Sequence, residues 1–261
     1  MNNIYTDKQL IVSLTSFPEA IPYAVEAIRS IIHGSLLPDK IILYLDSWKY
    51  PYGILPLELE KLKAECPFFD VKFDPENIRS YKKLIPALKD FPNDVIVTID
   101  DDIAYNPDML RRLVDLHKQL PHDIISHRVR KIQINSPYRK WRKFKWYDFI
   151  LTRIIRDRRS LQTGVGGVLY PPHSLDENML DSDIFMKLAP TNDDIWFWAA
   201  AVSKGTYIVP VPGWHQKLVE IGKPAQYSLK TINIDSTNDQ NRIALQNILE
   251  HYPTIREKLH A

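Results

Sequence analysis

One cysteine, Cys66, stands in 261 residues, so no internal disulfide can form, and no Cys or His spacing resembles a zinc site. Disulfide frameworks and structural zinc folds are thereby excluded. No apolar run approaches the roughly 18 residues that a membrane-spanning helix needs. The start, "MNNIYTDKQL", lacks the basic segment and apolar stretch of a signal peptide, so a cytoplasmic location is expected. Internal repeats and low-complexity linkers are missing too, and a single domain spanning 1–261 is expected. Glycine is scarce, with eight residues, and these form neither the G-x-G-x-x-G dinucleotide fingerprint nor a P-loop with its lysine.

What is present is ordinary for a globular chain, with 44% hydrophobic and 25% charged residues. The net charge of +2 conceals an asymmetry: residues 128–159 alone carry +10, which leaves −8 for the remainder.

The first half alternates apolar runs with helical periodicity. "LIVSLTSF" (10–17) reads as a buried strand, and Ile21, Val25, Ile28 and Ile32 then mark one face of a helix that Gly34 and Pro38 stop. "KIILYLD" (40–46) is a second strand ending at Asp46, "PLELEKLKAEC" a helix and "FDVKF" (69–73) a short strand. "SYKKLIPALKDF" is predicted as one helix with Pro86 at a kink, and a further helix over 107–119 carries Pro107 in its first turn. Between these two helices "DVIVTID" is the plainest strand in the chain. Later, "TNDDIWFWAAAVSKG" predicts a helix capped by Thr191 or Asn192 and stopped by Gly205, then the strand "TYIVPVPG", then helical periodicity over 239–259. Repeated strand–helix–strand units imply an α/β fold with a mostly parallel central sheet, whose ligands bind beyond the carboxyl ends of the strands.

The strongest chemical signal is "VIVTIDDDIAYNP", where an apolar run ends in Asp100, Asp101 and Asp102. Like charges so close destabilise a fold unless a cation, a proton or abundant water relieves them. In an extended strand Asp100 and Asp102 would face one way, two hard oxygen donors suited to Mg²⁺ or Mn²⁺, with Asp101 turned elsewhere or toward a ribose. A solvated acidic turn that caps the next helix is the alternative.

"TIDDDIAYNP", "SLTSFP" after the first strand, Asp46 after the second, "SYKKL", and "DD" opening a late helix together resemble nucleotide-sugar glycosyltransferases of the GT-A (Rossmann-like) fold. The bacterial family 2-like enzymes of capsule and lipopolysaccharide synthesis are the nearest type. The resemblance implies a central sheet flanked by helices, with a basic aromatic insertion and C-terminal helices added to it. A nucleotide-sugar-binding half would span 1–120 and an acceptor-binding half 121–261. It places a divalent ion, Mn²⁺ or Mg²⁺, on Asp100 and Asp102 against the diphosphate of a nucleoside-diphosphate sugar, a UDP-sugar by preference. The nucleoside falls to Thr15, Ser16, Phe17 and Asp46, with Asp101 beside it. Lys82 or Lys83 would add positive charge to the phosphates, a solvated helix face being the equal alternative.

Attack by an acceptor hydroxyl requires a general base, and the resemblance points to Asp194, then Asp193. Capping and the helix dipole account for the same pair without catalysis, and the dipole would keep either carboxylate ionised. His215 would complete the metal shell, or pack against the surface, where Trp214 could instead stack on a sugar. Gly164, Gly166 and Gly167 in "TGVGGVLYPP" signal a close approach of backbone to something, either a sugar ligand or a neighbour across an inner-strand bulge. The basic stretch "RKWRKFKWYDFILTRIIRDRR" interleaves cations with Trp141, Phe144, Trp146, Tyr147, Phe149 and Ile150. It suits either an anionic membrane surface carrying a lipid-linked acceptor or a solvated helix whose aromatics complete the core. No nucleic-acid recognition motif accompanies it, and none is expected to bind.

The resulting expectation is an inverting, metal-dependent transferase acting on a glycan or lipid-linked acceptor, in the cytoplasm or at the inner membrane face. A metal-dependent phosphohydrolase and a noncatalytic carbohydrate- or nucleic-acid-binding protein are its rivals. The aspartyl-phosphate type of hydrolase, however, carries its motif on the first strand.

Overall fold

The computed structural model describes residues 5, 7–144, 154–212, 218–222, 224 and 239–259. The apolar runs become strands β1 (Leu10–Thr15), β2 (Lys40–Asp46), β3 (Phe69–Asp74) and β4 (Val95–Thr98). The short strands β5 (Ile103–Ala104), β6 (Ile124–Ser126), β7 (Val129–Lys131), β8 (Arg142–Lys143), β9 (Ser160–Gln162), β10 (Val168–Tyr170), β11 (Ile208–Pro210) and β12 (Val219–Glu220) follow. Seven of these form the central sheet in the order β11-β6-β10-β4-β1-β2-β3. Every pairing in it is parallel except those of β10, which runs antiparallel between β4 and β6. A small antiparallel sheet, β8-β7-β9, stands beside it, and β5 pairs with β12.

Helices cover both faces: α1 (Ile21–Ile32), α2 (Leu57–Glu65), α3 (Ile85–Asp90), α4 (Met109–Gln119), α5 (Ser182–Leu188) and α6 (Asp193–Lys204), then Gln240–His251 and Pro253–Lys258. Alternate β1 residues serve the two cores. Leu10, Val12 and Leu14 pack with Ile28, Leu62 and Leu113, while Ile11 packs with Tyr81, Tyr170, Trp196 and Leu245 on the other side. A sheet buried on both faces needs near-continuous apolar strands, which is why β1 and β2 read as unbroken runs.

Three boundaries differ from expectation. "SYKKLIPALKDF" is not one kinked helix: Arg79–Lys83 form a 3₁₀ turn, and α3 starts afresh at Ile85 with Pro86 in its first turn, where a missing N–H costs nothing. Pro107 precedes α4 rather than lying inside it, because Asp108 is the N-cap. The final periodic segment is two helices, broken where Pro253 cannot donate to the preceding turn. Gly205 does end α6, in the left-handed conformation at φ 93° that glycine adopts without strain.

Candidate active site

The site forms where β1, β2 and β4 end. β4 stops at Thr98, so the three aspartates lie beyond the strand, with Asp101 and Asp102 in a turn, and strand alternation does not govern them. Asp101 is buried and accepts a 2.6 Å hydrogen bond from Ser16 Oγ, which ties the acidic turn to the end of β1. The Asp100 N–H donates to the Tyr105 hydroxyl at 2.8 Å, and the Asp102 carbonyl accepts from the Ile221 N–H at 2.9 Å. Thr15 Oγ1 donates to the Tyr44 carbonyl at 2.8 Å, and the Phe17 ring lies 5.6 Å from the Lys49 ammonium.

The 3₁₀ turn Arg79–Lys83 links these strand ends, and its two lysines are buried, not spread on a solvated helix face. Lys82 pairs with Asp46, whose other oxygen lies 3.3 Å from Lys49. Burial lowers the Lys82 ammonium to about 8. Lys83 reaches Asp100 Oδ1 and Asp193 Oδ2, both at 2.9 Å. Its burial disfavours the charge, but Asp100, Asp193 and Asp194 together outweigh that and raise its proton affinity well above the ordinary lysine value. Two further bonds fasten the turn: Ser13 Oγ donates to the Lys83 carbonyl at 2.6 Å, and Ser80 Oγ to Asp193 Oδ1 at 2.8 Å.

Asp193 and Asp194 open α6, and the N-cap Asn192 makes no side-chain capping bond. Their roles diverge. Asp193 is held by Lys83 and Ser80, whereas among the described residues Asp194 Oδ1 accepts only the Gly164 N–H, at 3.0 Å. Burial, then the charge of Asp193, raise the Asp194 carboxyl to about 7. The expectation that the helix dipole would keep either carboxylate ionised does not account for Asp194. Desolvation and a like charge exceed the roughly 0.3–1 kcal/mol a dipole ordinarily supplies.

The glycine segment owes its composition to close packing of the protein against itself. A Cβ on Gly164 would stand 2.6 Å from Lys83 Nζ and 3.2 Å from both Asp100 Oδ1 and Asp194 Oδ1. A Cβ on Gly166 would press on Arg128, and Gly167 takes φ 85° beside Met109. Carboxylates from the acidic turn and from α6 thus meet at one glycine, with Lys83 between them. The sequence names every member, Lys83 included, but assigns Lys83 to the phosphates and not to the carboxylates it joins. The signal for that pairing was Pro86, which forces a break and frees residues 79–83 from helical periodicity.

Asp100 and Asp102 bring hard oxygen donors to the mouth of the sheet. Asp100 pairs with Lys83 through Oδ1, and its side chain remains 28% exposed. Among the described residues no group of three His, Cys, Asp or Glu side chains forms a complete cage. Two carboxylates without a third suit Mg²⁺ or Mn²⁺, which keep positions for water and substrate phosphate oxygens. Trp214 and His215 lie outside the described residues, as do Trp146, Tyr147, Phe149 and Ile150 of the basic segment. Trp141 is buried, its indole donating to the Ser136 carbonyl at 3.0 Å, so this aromatic completes core structure.

The model for "Glycosyl transferase family 2" matches residues 15–170, more than half of the chain. The chain belongs to glycosyltransferase family 2. The match runs from the end of β1 to the end of β10, taking in Asp46, the lysine turn, the acidic turn and the glycine segment, and stops before Asp193. As a family 2 glycosyltransferase it takes a nucleotide-sugar donor, and its seven-stranded, mostly parallel sheet fits the GT-A fold. No curated protein matches the chain closely enough to count as a relative. Among solved structures, the chain is similar to "UDP-glucose pyrophosphorylase from acinetobacter baumanii" at 12% identity, with 96% of each chain covered and a TM-score of 0.46. That likeness is too distant to bear on fold or activity. Among the described residues no helix of this family 2 glycosyltransferase is long and apolar enough to cross a membrane.

Proposed function

We propose that this family 2 glycosyltransferase is metal-dependent and inverting. It would move a sugar from a nucleoside-diphosphate sugar, a UDP-sugar by preference, to a hydroxyl of a glycan or lipid-linked acceptor in bacterial surface polysaccharide synthesis of the capsule or lipopolysaccharide kind. The observation that carries this reading is the meeting of Asp100 and Asp194 at Gly164, beside Lys83. A donor-side and an acceptor-side carboxylate within one small volume is what a single displacement at an anomeric carbon requires.

In this mechanism Asp100 and Asp102 hold Mg²⁺ or Mn²⁺, which when bound stabilises the negative charge developing on the leaving diphosphate. The ends of β1 and β2, with Thr15, Ser16, Phe17 and Asp46, cradle the nucleoside, and Asp101 steadies that end through Ser16. Lys82 sets Asp46 in place. Lys83 bridges Asp100 and Asp193 and lends its field to the phosphates. Asp194 accepts the proton of the acceptor hydroxyl at its carboxylate. Its proton affinity near neutrality supports this role, because a base works best when its pKa lies close to the operating pH. Residues 1–120 and 121–261 act as the donor and acceptor halves. The enzyme works in the cytoplasm or at the inner membrane face, with the basic segment 128–159 as the membrane contact.

Thermal unfolding against nucleoside diphosphates and nucleotide sugars, with and without Mn²⁺, tests the reading, since a ligand that binds the native state raises the midpoint. UDP should stabilise the protein only when metal is present. Indifference to every nucleotide, with or without metal, would reject the assignment.

A further inference from the structure

Arg128 directly precedes β7 and Arg130 lies within it, so their i, i+2 spacing in extended chain sets both on one face of the small sheet. The backbone there is pinned. The Arg128 carbonyl accepts the Thr163 N–H at 2.9 Å, Thr163 Oγ1 at 3.2 Å and Ser126 Oγ at 3.0 Å. Gly166 makes the approach feasible, since a Cβ there would sit 2.9 Å from the Arg128 Cβ.

Neither guanidinium is paired with a carboxylate among the described residues. Among the described residues the Arg128 side chain makes no hydrogen bond or ion pair. Arg130 gives Nη1 to the Trp141 carbonyl at 3.1 Å, while its Nε is buried without a partner. Arg130 lies over the Tyr138 ring, 4.5 Å from the centroid, which orients its plane. Burial first, and Arg130 second, lower the proton affinity of Arg128, and the carboxylates whose fields reach it are Asp194 and Asp100. Both of those already accept from other groups, the Gly164 N–H and Lys83. Two half-buried like charges with fork-shaped donors left over form an arrangement suited to an oxyanion.

Topology says on which substrate that oxyanion sits. The nucleoside end belongs to β1 and β2, whereas Arg128 follows β6, on the other side of β4 with β10 in between. Asp194 is the first carboxylate to act on it. We propose that Arg128 and Arg130 form an anion subsite for the acceptor, so that the attacking hydroxyl belongs to a molecule carrying a phosphate or carboxylate group nearby. This deepens the transferase reading above and rests on it.

Inorganic phosphate is the probe. It is titrated into the full-length protein by calorimetry with a chelator present, so that metal-assisted binding at the acidic turn does not contribute. Saturable binding should weaken at least about tenfold in both Arg128→Gln and Arg130→Gln and stay unchanged in Asp102→Asn. If Arg128→Gln does not fold, Arg128→Lys serves, keeping the charge and removing the fork, with a smaller loss expected. No binding to the wild type, or equal binding to the arginine variants, overturns the subsite. UDP affinity in Mn²⁺, measured in parallel, should not change in Arg128→Gln. A tenfold loss there would assign these cations to the donor diphosphate and overturn the acceptor assignment. Failure of the wild type to bind any nucleotide would sink the transferase mechanism itself. Intact nucleotide binding, with phosphate binding indifferent to both arginines, would sink the subsite alone.

Discussion

Replacing Asp194 by Asn should stabilise this protein in alkaline buffer while removing its activity. The Asp194 carboxyl titrates at about 7 in the folded chain against an ordinary value of 3.8. The native state thus binds this proton more tightly than the unfolded chain does. Its stability is greatest below the unfolded value, falls as pH rises through the window between the two, and levels off above about 7. At about 1.4 kcal/mol per unit the full shift corresponds to roughly 4 kcal/mol, and about 2 kcal/mol is a safer expectation, because Asp194 keeps a partly exposed face that water screens. Asparagine is neutral at every pH and its oxygen can still accept the Gly164 N–H. Asp194→Asn should therefore melt about 4–8 °C higher than the wild type at pH 8 and only slightly higher at pH 5. Transfer by the wild type should rise with pH through about 7 as the base ionises, and the variant should lose about 10²–10⁴ in rate. A variant destabilised equally at both pH values would refute the burial argument, and one with an unchanged rate would refute the base assignment.

Asp102→Asn should abolish transfer while leaving the melting temperature within about 1–2 °C, since a change at the surface of a turn removes no core packing; nucleotide binding in Mn²⁺ and a thermal melt check both halves. Lys83→Met removes the cation between Asp100 and Asp193 and should cost roughly 3–5 kcal/mol in urea unfolding. It should also move the rising limb of the pH–rate profile upward, because Lys83 lowers the Asp194 carboxyl. Gly164→Ala puts a methyl 2.6 Å from an ammonium that two carboxylates already fix, and should cost about 1–3 kcal/mol. Its rate should drop more than its donor affinity, which a split between kcat and KM would reveal.

Much of the fold was legible because β1, β2 and β4 are buried on both faces and so carry uninterrupted apolar runs, and because α6 ends at Gly205. The acidic turn announced itself by charge density alone. The partners of those charges did not. Lys82 and Lys83 look like surface residues in a helical reading, and only the 3₁₀ turn before Pro86 points both inward, to carboxylates 36 and 110 positions away. The antiparallel course of β10 and the small sheet around β7 depend on pairings between distant three-residue segments, which leave no periodicity to read. The protonation of Asp194 is hidden from the sequence for the same reason. Its helix position was local and visible, whereas the burial that overrides the dipole comes from elsewhere in the chain.

The place of β10 also bears on how the molecule is made. Until Val168–Tyr170 has left the ribosome, β4 is the rim of a four-stranded β4-β1-β2-β3 unit, with the backbone groups of Val95–Thr98 open along one side. Translation therefore passes through a stage in which an apolar, adhesive margin awaits a partner not yet synthesised. The yield of soluble enzyme should depend on how quickly the stretch between them is translated, and on what shields that margin meanwhile.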